Sequence, residues 1–390
     1  MSSYISSNNN RFYAVIEPAY GQVPAVTSQN RIPAVKLTAR QQVARTERKD
    51  KTGTRTYFGD PSGLRNSTSF SLNTYLTAWT NTRQEPAYGP LFQACMGSAA
   101  NIWNGGTIVS APGSTRVSFA APHGLTFGQA VTVGNDLRFV ANIVDSQTVQ
   151  LNAPLSSVPG SNTLAGPTAT YQPAEDLPSA SIFDCWSPST AVQRVLCGAA
   201  LDQMTIKVNG DFHEFSFSGR AADILDSTSF QNGQGGLTSF PQEPALSAFD
   251  YTIIPGHLGQ AWLGTGPGQF FTITKAQLTF KNELALRDQE FGTTLAAGIT
   301  PGLRNVSLEL SLFQRDDANT QALYQAARSR SPVPMMLQLG QQPGELFGIY
   351  MKAVVLEVPE FDDSETRQQW HFVTCRAQGG LNDELFIAFG

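Results

Sequence analysis

The feature that most limits how this chain can fold is a β-rich unit that its sequence contains twice. The first copy begins with VKLTARQQVARTERKD and RNSTSFSLNTYL, continues with a helical stretch PLFQACMG and ends with GAALDQMTIKVNGDFHEFSFSGRAAD. The second begins with AQLTFKNELALRDQE and LRNVSLELSLFQ, continues with a helical stretch DDANTQALYQAARSRS and ends with GIYMKAVVLEVPEFDD and TRQQWHFVTCRAQ. A duplicated unit without catalytic residues predicts a subunit that builds a symmetric assembly.

Alternation of apolar and polar residues predicts the strands of both copies. Phe70 and Leu72 alternate with serines and an asparagine, and Leu308, Leu310 and Leu312 alternate in the same way with polar residues. Such a period of two predicts strands with one buried face and one polar face. The dipeptide Arg-Asn, at 65–66 and at 304–305, is predicted to fall at the same point of each copy.

One turn signal and two helix signals complete the pattern. Asn209–Gly210 predicts a tight two-residue hairpin. Pro90 and Gly97 predict the start and the end of a short first helix. The second helix is predicted over 316–331, because acidic residues lie in its first turn and arginines in its last.

These signals divide the chain into five parts within a mainly β fold of two tandem β-sandwich domains, each with a short flanking helix. Residues 101–175 interrupt the first copy with short strands separated by Gly, Pro and Asn, which predicts an inserted small β-domain. The predicted boundaries are an N-terminal extended arm at 1–32, a first domain at 33–100 and 176–225, the insert at 101–175, a connector at 226–268 and a second domain at 269–390.

Composition excludes several classes of function. Only 15% of the 390 residues are charged, the net charge is −5 and the pI is about 5.4, which argues against tight binding to a phosphate backbone. The opening MSSYISSNNN lacks the apolar core of a signal peptide, and no stretch approaches the ~20 apolar residues of a membrane span. The cysteines are predicted to be buried free thiols, and they are Cys95, Cys185, Cys197 and Cys375.

No catalytic, metal-binding or cofactor-binding pattern is present in the sequence. None of the four histidines has a second ligand residue at the spacing of a metal site. His213 and His371 are predicted to take comparable positions in the two copies, which favours a structural role for both. The glycine-rich stretch that begins at Gly264 lacks the Lys-Ser/Thr of a phosphate loop. We therefore expect no enzyme activity, no metal and no cofactor.

One cluster of charges stands out in this charge-poor chain. It has two interpretations, a solvated loop or an exposed arm whose charges pair with those of a neighbouring subunit or ring. A similar mixed run in the second copy, between Lys281 and Glu290, favours the second interpretation. The residues of the cluster are Arg45, Glu47, Arg48, Lys49, Asp50, Lys51 and Arg55.

The order of strands and helix, the hairpin segment TIKVNGDFHEFSFSGRA and the ending GLNDELFIAFG together resemble the major tail tube proteins of long-tailed, siphovirus-like bacteriophages. The stretch HGLTFGQAVTVGN is similar to small β-modules that decorate phage tail proteins. The resemblance covers most of the chain except the predicted arm and connector, and its motifs are patterns rather than invariant signatures.

The resemblance implies a structural virion protein. Subunits with two fused domains are expected to form trimeric, pseudo-hexameric rings that stack into a hollow tube, assembled in the bacterial host cytoplasm. The expected partners are further copies of the chain, a tape measure protein, tail terminator and distal tail proteins, and double-stranded DNA in transit without tight binding. No membrane is expected as a partner, and the insert would lie on the tube exterior.

The lumen of such a tube should carry few groups that bind phosphate, because each Lys or Arg in contact with DNA adds affinity. We therefore expect the polar outer faces of the strands, uncharged or acidic, to line it. The candidate lumen-facing residues are Ser69, Ser71, Ser307, Glu309 and Ser311.

Three other functions remain open from the sequence. A distal-tail or hub protein of the tail tip would use the same fold in a single ring per particle. A carbohydrate- or receptor-binding tail protein would use the insert as its binding module, although the insert has few aromatic residues for a sugar platform. An enzyme would require a pocket assembled from residues that show no local pattern.

Overall fold

A computed structural model describes residues 4–44, 49–57, 59, 64–79, 85–246, 252–264, 268, 272–364 and 366–390. The protein is mainly β, as the sequence predicts, with antiparallel sheets, two helices and a small closed barrel among these residues. The elements before the barrel are β1 (Asn10–Ile16), β2 (Arg31–Ile32), β3 (Ala34–Val43), β4 (Asn66–Tyr75), α1 (Gly89–Met96) and β5 (Asn101–Trp103).

The barrel strands are β6 (Gly106–Gly113), β7 (Arg116–Phe119), β8 (Ala130–Val133), β9 (Asp136–Ile143), β10 (Thr148–Leu151) and β11 (Thr163–Gly166). The next strands are β12 (Thr168–Tyr171), β13 (Ala180–Trp186), β14 (Arg194–Val208), β15 (Glu214–Ala221) and β16 (Asp223–Asp226).

The remaining elements are β17 (Gly259–Leu263), β18 (Ile273–Lys281), β19 (Ala285–Leu286), β20 (Ile299–Thr300), β21 (Asn305–Phe313), α2 (Ala318–Ser329), β22 (Val333–Leu339), β23 (Phe347–Val355), β24 (Glu360–Asp362), β25 (Gln369–Ala377) and β26 (Phe386–Phe389). Short 3₁₀ turns lie at Ser7–Asn9, Ser28–Asn30 and Gln234–Gly236.

One large antiparallel sheet runs through both halves of the chain in the order β3–β4–β15–β14–β18–β21–β25, with β23 and β24 along the far side of β25. Two smaller sheets face it. The first small sheet has the order β2–β1–β13–β14–β16, and the second has the order β17–β22–β23–β26–β12–β5. The strand β14 bends from the first small sheet into the large one.

The strand pairings of the first half recur in the second half. Six pairings correspond, each of the first half with one of the second: β1·β13 with β17·β22, β3·β4 with β18·β21, β4·β15 with β21·β25, β13·β14 with β22·β23, β14·β15 with β23/β24·β25, and β14·β16 with β23·β26. The segment from α1 to β13 holds the barrel, whereas α2 and β22 are joined by residues 330–332 alone. The barrel therefore occupies one loop of a unit whose connectivity occurs twice.

A continuous apolar core fills the space between the large sheet and the smaller ones. It collects the inward residues of the alternating strands, such as Leu72, Phe217, Leu278 and Leu308, all fully buried. Phe92 of α1 lies at its centre, with its ring against aromatic rings from both halves of the chain. These rings belong to Tyr88, Tyr171, Phe215, Phe217, Phe347 and Phe389.

The helix termini follow the sequence signals. Pro90 lies in the first turn of α1, and Gly97 ends the helix with φ of 98°, a conformation that glycine adopts without strain. The side chain of Asp317 caps α2 by accepting a hydrogen bond from Thr320 N at 2.7 Å. The predicted range 316–331 for α2 thus extends beyond the helix by two residues at each end.

The prediction of an arm over residues 1–32 is wrong for the part that forms β1. Phe12, Tyr13 and Ala14 are buried, and β1 pairs along its whole length with β13. The predicted connector likewise contains β17, which pairs with β22 and buries Trp262 and Leu263. Both strands belong to the small sheets, so the two β units begin earlier in the chain than the sequence indicated.

The hairpin prediction at Asn209–Gly210 is also wrong in its length. Asn209 does take a left-handed conformation with φ of 65°. However, the last paired residues of the hairpin are Lys207 and Glu214, so its loop is longer than two residues. The wider loop leaves room for His213, whose ring is buried beneath the strand ends.

All four cysteines are buried and free, as predicted. Burial raises the pKa of the Cys185, Cys197 and Cys375 thiols to about 12, and it raises the pKa of Cys95 further. Thiols with such pKa values are protonated near neutral pH and are therefore unreactive.

Candidate assembly surface

The polar face of the large sheet, on the side away from the core, carries all five residues that the sequence singled out for a lumen. Ser69 and Ser71 lie on β4, and Ser307, Glu309 and Ser311 lie on β21. Each alternates with buried neighbours, so all five side chains point away from the core. The structure thus brings residues from the two halves of the chain onto one surface.

One row of uncharged side chains crosses this polar face. It crosses five strands through directly opposed residues, from Asn73 to Ser216, Thr205, Thr279 and Ser307. Within it, Ser216 Oγ donates a hydrogen bond to Asn73 Oδ1 at 2.9 Å. The row runs without a break across the boundary between β14 and β18, where the two halves of the chain meet.

Cationic side chains also lie on the polar face, contrary to the expectation that it is uncharged or acidic. Lys207 pairs with Glu214 at 3.5 Å, and Lys281 lies 4.0 Å from Glu283. Arg220 stands opposite Ser69 in the sheet register and is exposed. Every second residue of a strand points to the same face of the sheet, whatever its charge, so these residues share the polar face with the serines.

The mixed-charge cluster lies in the long loop between β3 and β4. Lys49, Asp50, Lys51 and Arg55 are exposed there, whereas Arg45, Glu47 and Arg48 lie outside the described residues. Exposure agrees with both interpretations from the sequence, the solvated loop and the arm that meets a neighbour.

The equivalent loop of the second half, between β18 and β21, lies beside the β3–β4 loop. Arg65 Nη2 donates to the carbonyl oxygens of Gln289 and Glu290 at 3.2 and 3.1 Å. The backbone N–H of Asn66 donates to Thr294 O at 2.9 Å. The two charged loops therefore occupy the same end of the large sheet, where they form one surface.

The two halves of the chain meet through the pairing of β14 with β18, from Gln203 opposite Lys281 to Val208 opposite Ala276. We call this pairing the internal junction. Its inward residues, among them Ile206 and Leu278, are fully buried. A strand near the end of the first unit thus pairs with the first large-sheet strand of the second unit, which is a head-to-tail contact.

The large sheet ends in two strands that have no partner on their outer sides within the described residues. These are β3 at one end and β24, next to β25, at the other. Apolar side chains are exposed along both ends, including Val35 and Val43 on β3, Val358 beside β24 and Phe361 on it. An open edge with exposed apolar residues is a template for pairing with another chain.

The barrel is attached on the other side of the molecule. Its strands follow the order β10–β7–β6–β11–β8–β9 around their own apolar core. It packs on the face of the second small sheet that points away from the large sheet, where Phe139 stacks on Tyr350 with ring centroids 5.4 Å apart. Gly128 makes this approach possible, since a Cβ there would lie 2.1 Å from the Phe386 ring.

A buried arginine, which the sequence reasoning missed, secures this attachment. Arg138 of β9 is fully buried and donates to Asp136 Oδ1 at 2.9 Å, to Gln338 Oε1 at 2.7 Å and to Gln260 Oε1 at 2.9 Å. Its guanidinium also lies 4.1 Å from the Trp262 ring centre. Gln338 and Trp262 belong to the second small sheet, so one side chain joins the barrel to it. The sequence signal was an arginine within the apolar run LRFV.

The insert prediction of 101–175 needs correction at both ends. β5 and β12 pair with each other, and β12 also pairs with β26. Ala169 and Tyr171 of β12 belong to the main core. The barrel itself therefore comprises only residues 106–166, and its flanking strands belong to the second small sheet.

His213 lines a small pocket of about 230 Å³ together with His257, Leu258 and Gln260. Its Nε2 lies 3.2 Å from Leu258 O, so this nitrogen carries the proton, and the buried Nδ1 has no hydrogen-bond partner among the described residues. Burial lowers the pKa of His213 to about 4. His371, in contrast, lies within β25 opposite Ser311. The predicted equivalence of the two histidines is therefore wrong.

Because His213 is neutral in the folded protein, its contribution to stability should depend on pH. Between its folded pKa of about 4 and the unfolded value of about 6.5, the unfolded chain binds more protons, so stability is fully present above pH 6.5 and falls towards pH 4. We expect His213→Gln to reduce the loss of unfolding free energy between pH 7 and pH 5 by about 2 kcal/mol.

Urea unfolding at a series of pH values would measure this effect. The matched control is His257→Gln, because His257 lines the same pocket but is exposed. Parallel pH profiles for wild type and His213→Gln would show that the buried imidazole is not the group responsible.

Within the described parts of the chain, no group of three or more His, Cys, Asp or Glu side chains could hold a metal ion. Neither helix of those parts is long and apolar enough to cross a bilayer. No protein-family model matches the chain, and no curated protein matches it significantly. The functional proposal therefore rests on the geometry of the large sheet.

Proposed function

We propose that the chain is a structural subunit of a phage tail tube, which assembles into rings that stack into a hollow conduit for DNA. The observation that carries this proposal is the large sheet itself. It joins two units of the same connectivity head to tail and ends in two strands that have no outer partner in the described part of the chain. A head-to-tail contact repeats from copy to copy and produces a closed ring when the rotation closes.

The two units are, on this proposal, tandem tail-tube-like domains, so that a ring of three chains would contain six of them. The resemblance to tail tube proteins supplies that number. The polar face of the large sheet would line the lumen, with its uncharged row of serine, threonine and asparagine at the centre. Lys207 is already paired with Glu214, which reduces its attraction for passing phosphates.

The position of the barrel supports the same orientation. It lies behind the second small sheet, on the opposite side of the core from the polar face. A ring with the polar face inwards would therefore carry the barrel on its outer surface. A tape measure protein, and terminator and distal tail proteins at the two tube ends, remain the partners that this proposal implies.

Negative-stain electron microscopy of the purified protein, concentrated and dilute, tests the proposal. Hollow rings or tubes with threefold or pseudo-sixfold end views are the expected result. A chain that stays monomeric at high concentration, and also with a tail-tip initiator, would overturn it. In purified virions, an abundance close to that of the capsid protein would separate a tube subunit from a hub protein that forms one ring.

The charged loops at one end of the sheet predict a specific defect in stacking. Lys49→Glu combined with Lys51→Glu should shorten or abolish tubes while single rings still form, because it reverses the charge on the surface that meets the next ring. Tube length in micrographs at low and high salt measures the effect. Arg116→Glu on the barrel is the matched control. Tubes of normal length from the double variant would show that the charge cluster is only a solvated loop.

A further inference from the structure

The internal junction shows which residues should meet when two copies of the chain pair. In it, the C-terminal part of β14 runs beside β18, and Ile206 stands directly opposite Leu278. If the same contact forms between copies, the counterparts of these two strands must supply it. The counterpart of β18 is β3, and the counterpart of the C-terminal part of β14 is the segment 356–363, which contains β24.

A β-bulge in each unit fixes the correspondence residue by residue. The pairing of β3 with β4 shifts between Ala34 and Lys36, and the pairing of β18 with β21 shifts between Ile273 and Lys275. Aligning the two bulges makes Ala39 the counterpart of Leu278, because Ala39 stands opposite Phe70 and Leu278 stands opposite Leu308.

The counterpart of Ile206 at the other edge is found from the residues that stand opposite each other on neighbouring strands. Ile206 stands opposite Phe215, and Phe215 stands opposite Thr74. In the second unit, Phe361 stands opposite Trp370, and Trp370 stands opposite Leu312. The bulge alignment makes Leu312 the counterpart of Thr74, so Phe361 is the counterpart of Ile206.

We infer that β24 of one copy pairs antiparallel with β3 of the next, with Phe361 opposite Ala39 and Glu360 opposite Arg40. This inference rests on the proposed function and adds to it the partner strand, the register and the charged pair. Asp362 then stands opposite Thr38, diagonally between Lys36 and Arg40. Opposite charges on facing and diagonal positions stabilise a strand pair.

The two edges carry charges of opposite sign. The segment 34–44, AVKLTARQQVA, has two cationic residues and no acidic one. The segment 356–363, LEVPEFDD, has four acidic residues and no cationic one. Like edges therefore repel one another and unlike edges attract, which selects the head-to-tail contact over a symmetric dimer of two equal edges.

Burial points to the same partner. Phe361 is 52% exposed although its ring packs against Trp370 and Tyr324, whereas its counterpart Ile206 is fully buried by the neighbouring strand. Pairing with Ala39 would cover the open side of the Phe361 ring. Pro359 lacks a backbone N–H, so the hydrogen-bonded part of the contact should be confined to residues 360–363.

Cysteine cross-linking of the full-length chain tests the register, since directly opposed residues of an antiparallel pair are close enough for a disulfide. The variant Ala39→Cys with Phe361→Cys should give a ladder of covalent dimers, trimers and higher species under mild oxidation. The matched variant Val35→Cys with Phe361→Cys, displaced by four residues, should give none. The native cysteines are buried and remain in both variants.

Charge reversal tests the proposed contact between Arg40 and Glu360 independently of the cross-linking. Arg40→Glu alone and Glu360→Arg alone should each weaken self-association at least tenfold in analytical ultracentrifugation, and the two changes in one chain should restore it. Arg116→Glu should leave association unchanged.

Assembly of the wild type without the ladder and without restoration by the double reversal would overturn the register and leave the proposed function standing. A wild type that stays monomeric under every condition, with no ladder from the cysteine pair, would overturn both.

Discussion

Replacement of Arg138 by alanine is expected to lower the free energy of unfolding by about 3–5 kcal/mol, the usual cost of removing one partner of a buried ion pair. The side chain is fully buried between the barrel and the second small sheet. Its loss would leave the Asp136 carboxylate buried without its cation, take one donor away from Gln338 Oε1 and remove the cation that lies over Trp262. Thermal or urea unfolding measures the change.

The network around Arg138 makes the expected loss larger than the loss of one contact. The guanidinium also donates to Pro154 O and Leu137 O, both at 2.8 Å, so its five N–H groups all have acceptors. Burial lowers its pKa to about 10, with Asp136 acting in the opposite direction, so it remains charged at neutral pH. Arg138→Lys keeps a charge but has only three donors, and it should fall between wild type and alanine.

The exposed Arg116 of the same barrel provides the matched control, and its replacement by alanine should change the unfolding free energy by no more than about 0.5 kcal/mol. Because Arg138 joins two bodies, its alanine variant should also unfold in two steps, with the barrel released from the rest. An Arg138→Ala protein as stable and as cooperative as the Arg116 control would show that the apolar contact alone holds the barrel.

Alternating strands were the part of the fold that could be predicted from the sequence. In β4 and β21 every second residue is buried, so apolar residues at those positions reveal both the strand and its buried face. The serines between them were assigned to the polar face on the same ground. The helix caps at Gly97 and Asp317 were also visible, because each depends on one or two neighbouring residues.

The sequence does not align the two copies to the residue, because a strand pattern repeats every two residues. The bulges align Asn66 with Arg304, whereas the repeated Arg-Asn dipeptide aligns Asn66 with Asn305. A shift by one residue moves every side chain to the other face of the sheet. Only the position of a bulge, which the sequence does not mark, resolves that ambiguity.

Strands of the small sheets were missed for a different reason. β1 and β17 contain few alternating residues, since both of their faces are covered by other parts of the protein. Tyr13 packs beneath the segment after β16, and its hydroxyl donates to Glu243 at 2.9 Å. A short strand buried on both faces lacks the period of two on which the sequence argument depended.

Excision of the barrel should separate the true insertion from the strands that flank it. Deleting 101–175 removes β5 and β12, which uncovers the edge of β26 and takes Ala169 and Tyr171 out of the main core. Burial of one large apolar side chain is worth roughly 1.5–3 kcal/mol, so losing a core strand together with its pairing approaches the whole stability of a domain. We expect this deletion to give no soluble protein.

A shorter excision, replacing residues 105–166 with a Gly/Ser bridge, should preserve the fold. Trp103 and Thr168 stand directly opposite each other in the β5–β12 pair, so a short bridge can connect the strands without straining them. The excision exposes Trp262, Met336 and Phe386, which normally face the barrel. The product should therefore melt at a lower temperature and bind a hydrophobic dye more strongly than the wild type.

Soluble yield, circular dichroism and dye binding, measured side by side on the two deletions, decide between these boundaries. Equal yields from both would mean that β12 adds nothing to the core despite its complete burial, and the insertion would then extend to residue 175. If only the shorter excision folds and still forms rings, the barrel is a decoration that assembly does not need. If it folds but no longer forms rings, the barrel takes part in contacts between copies.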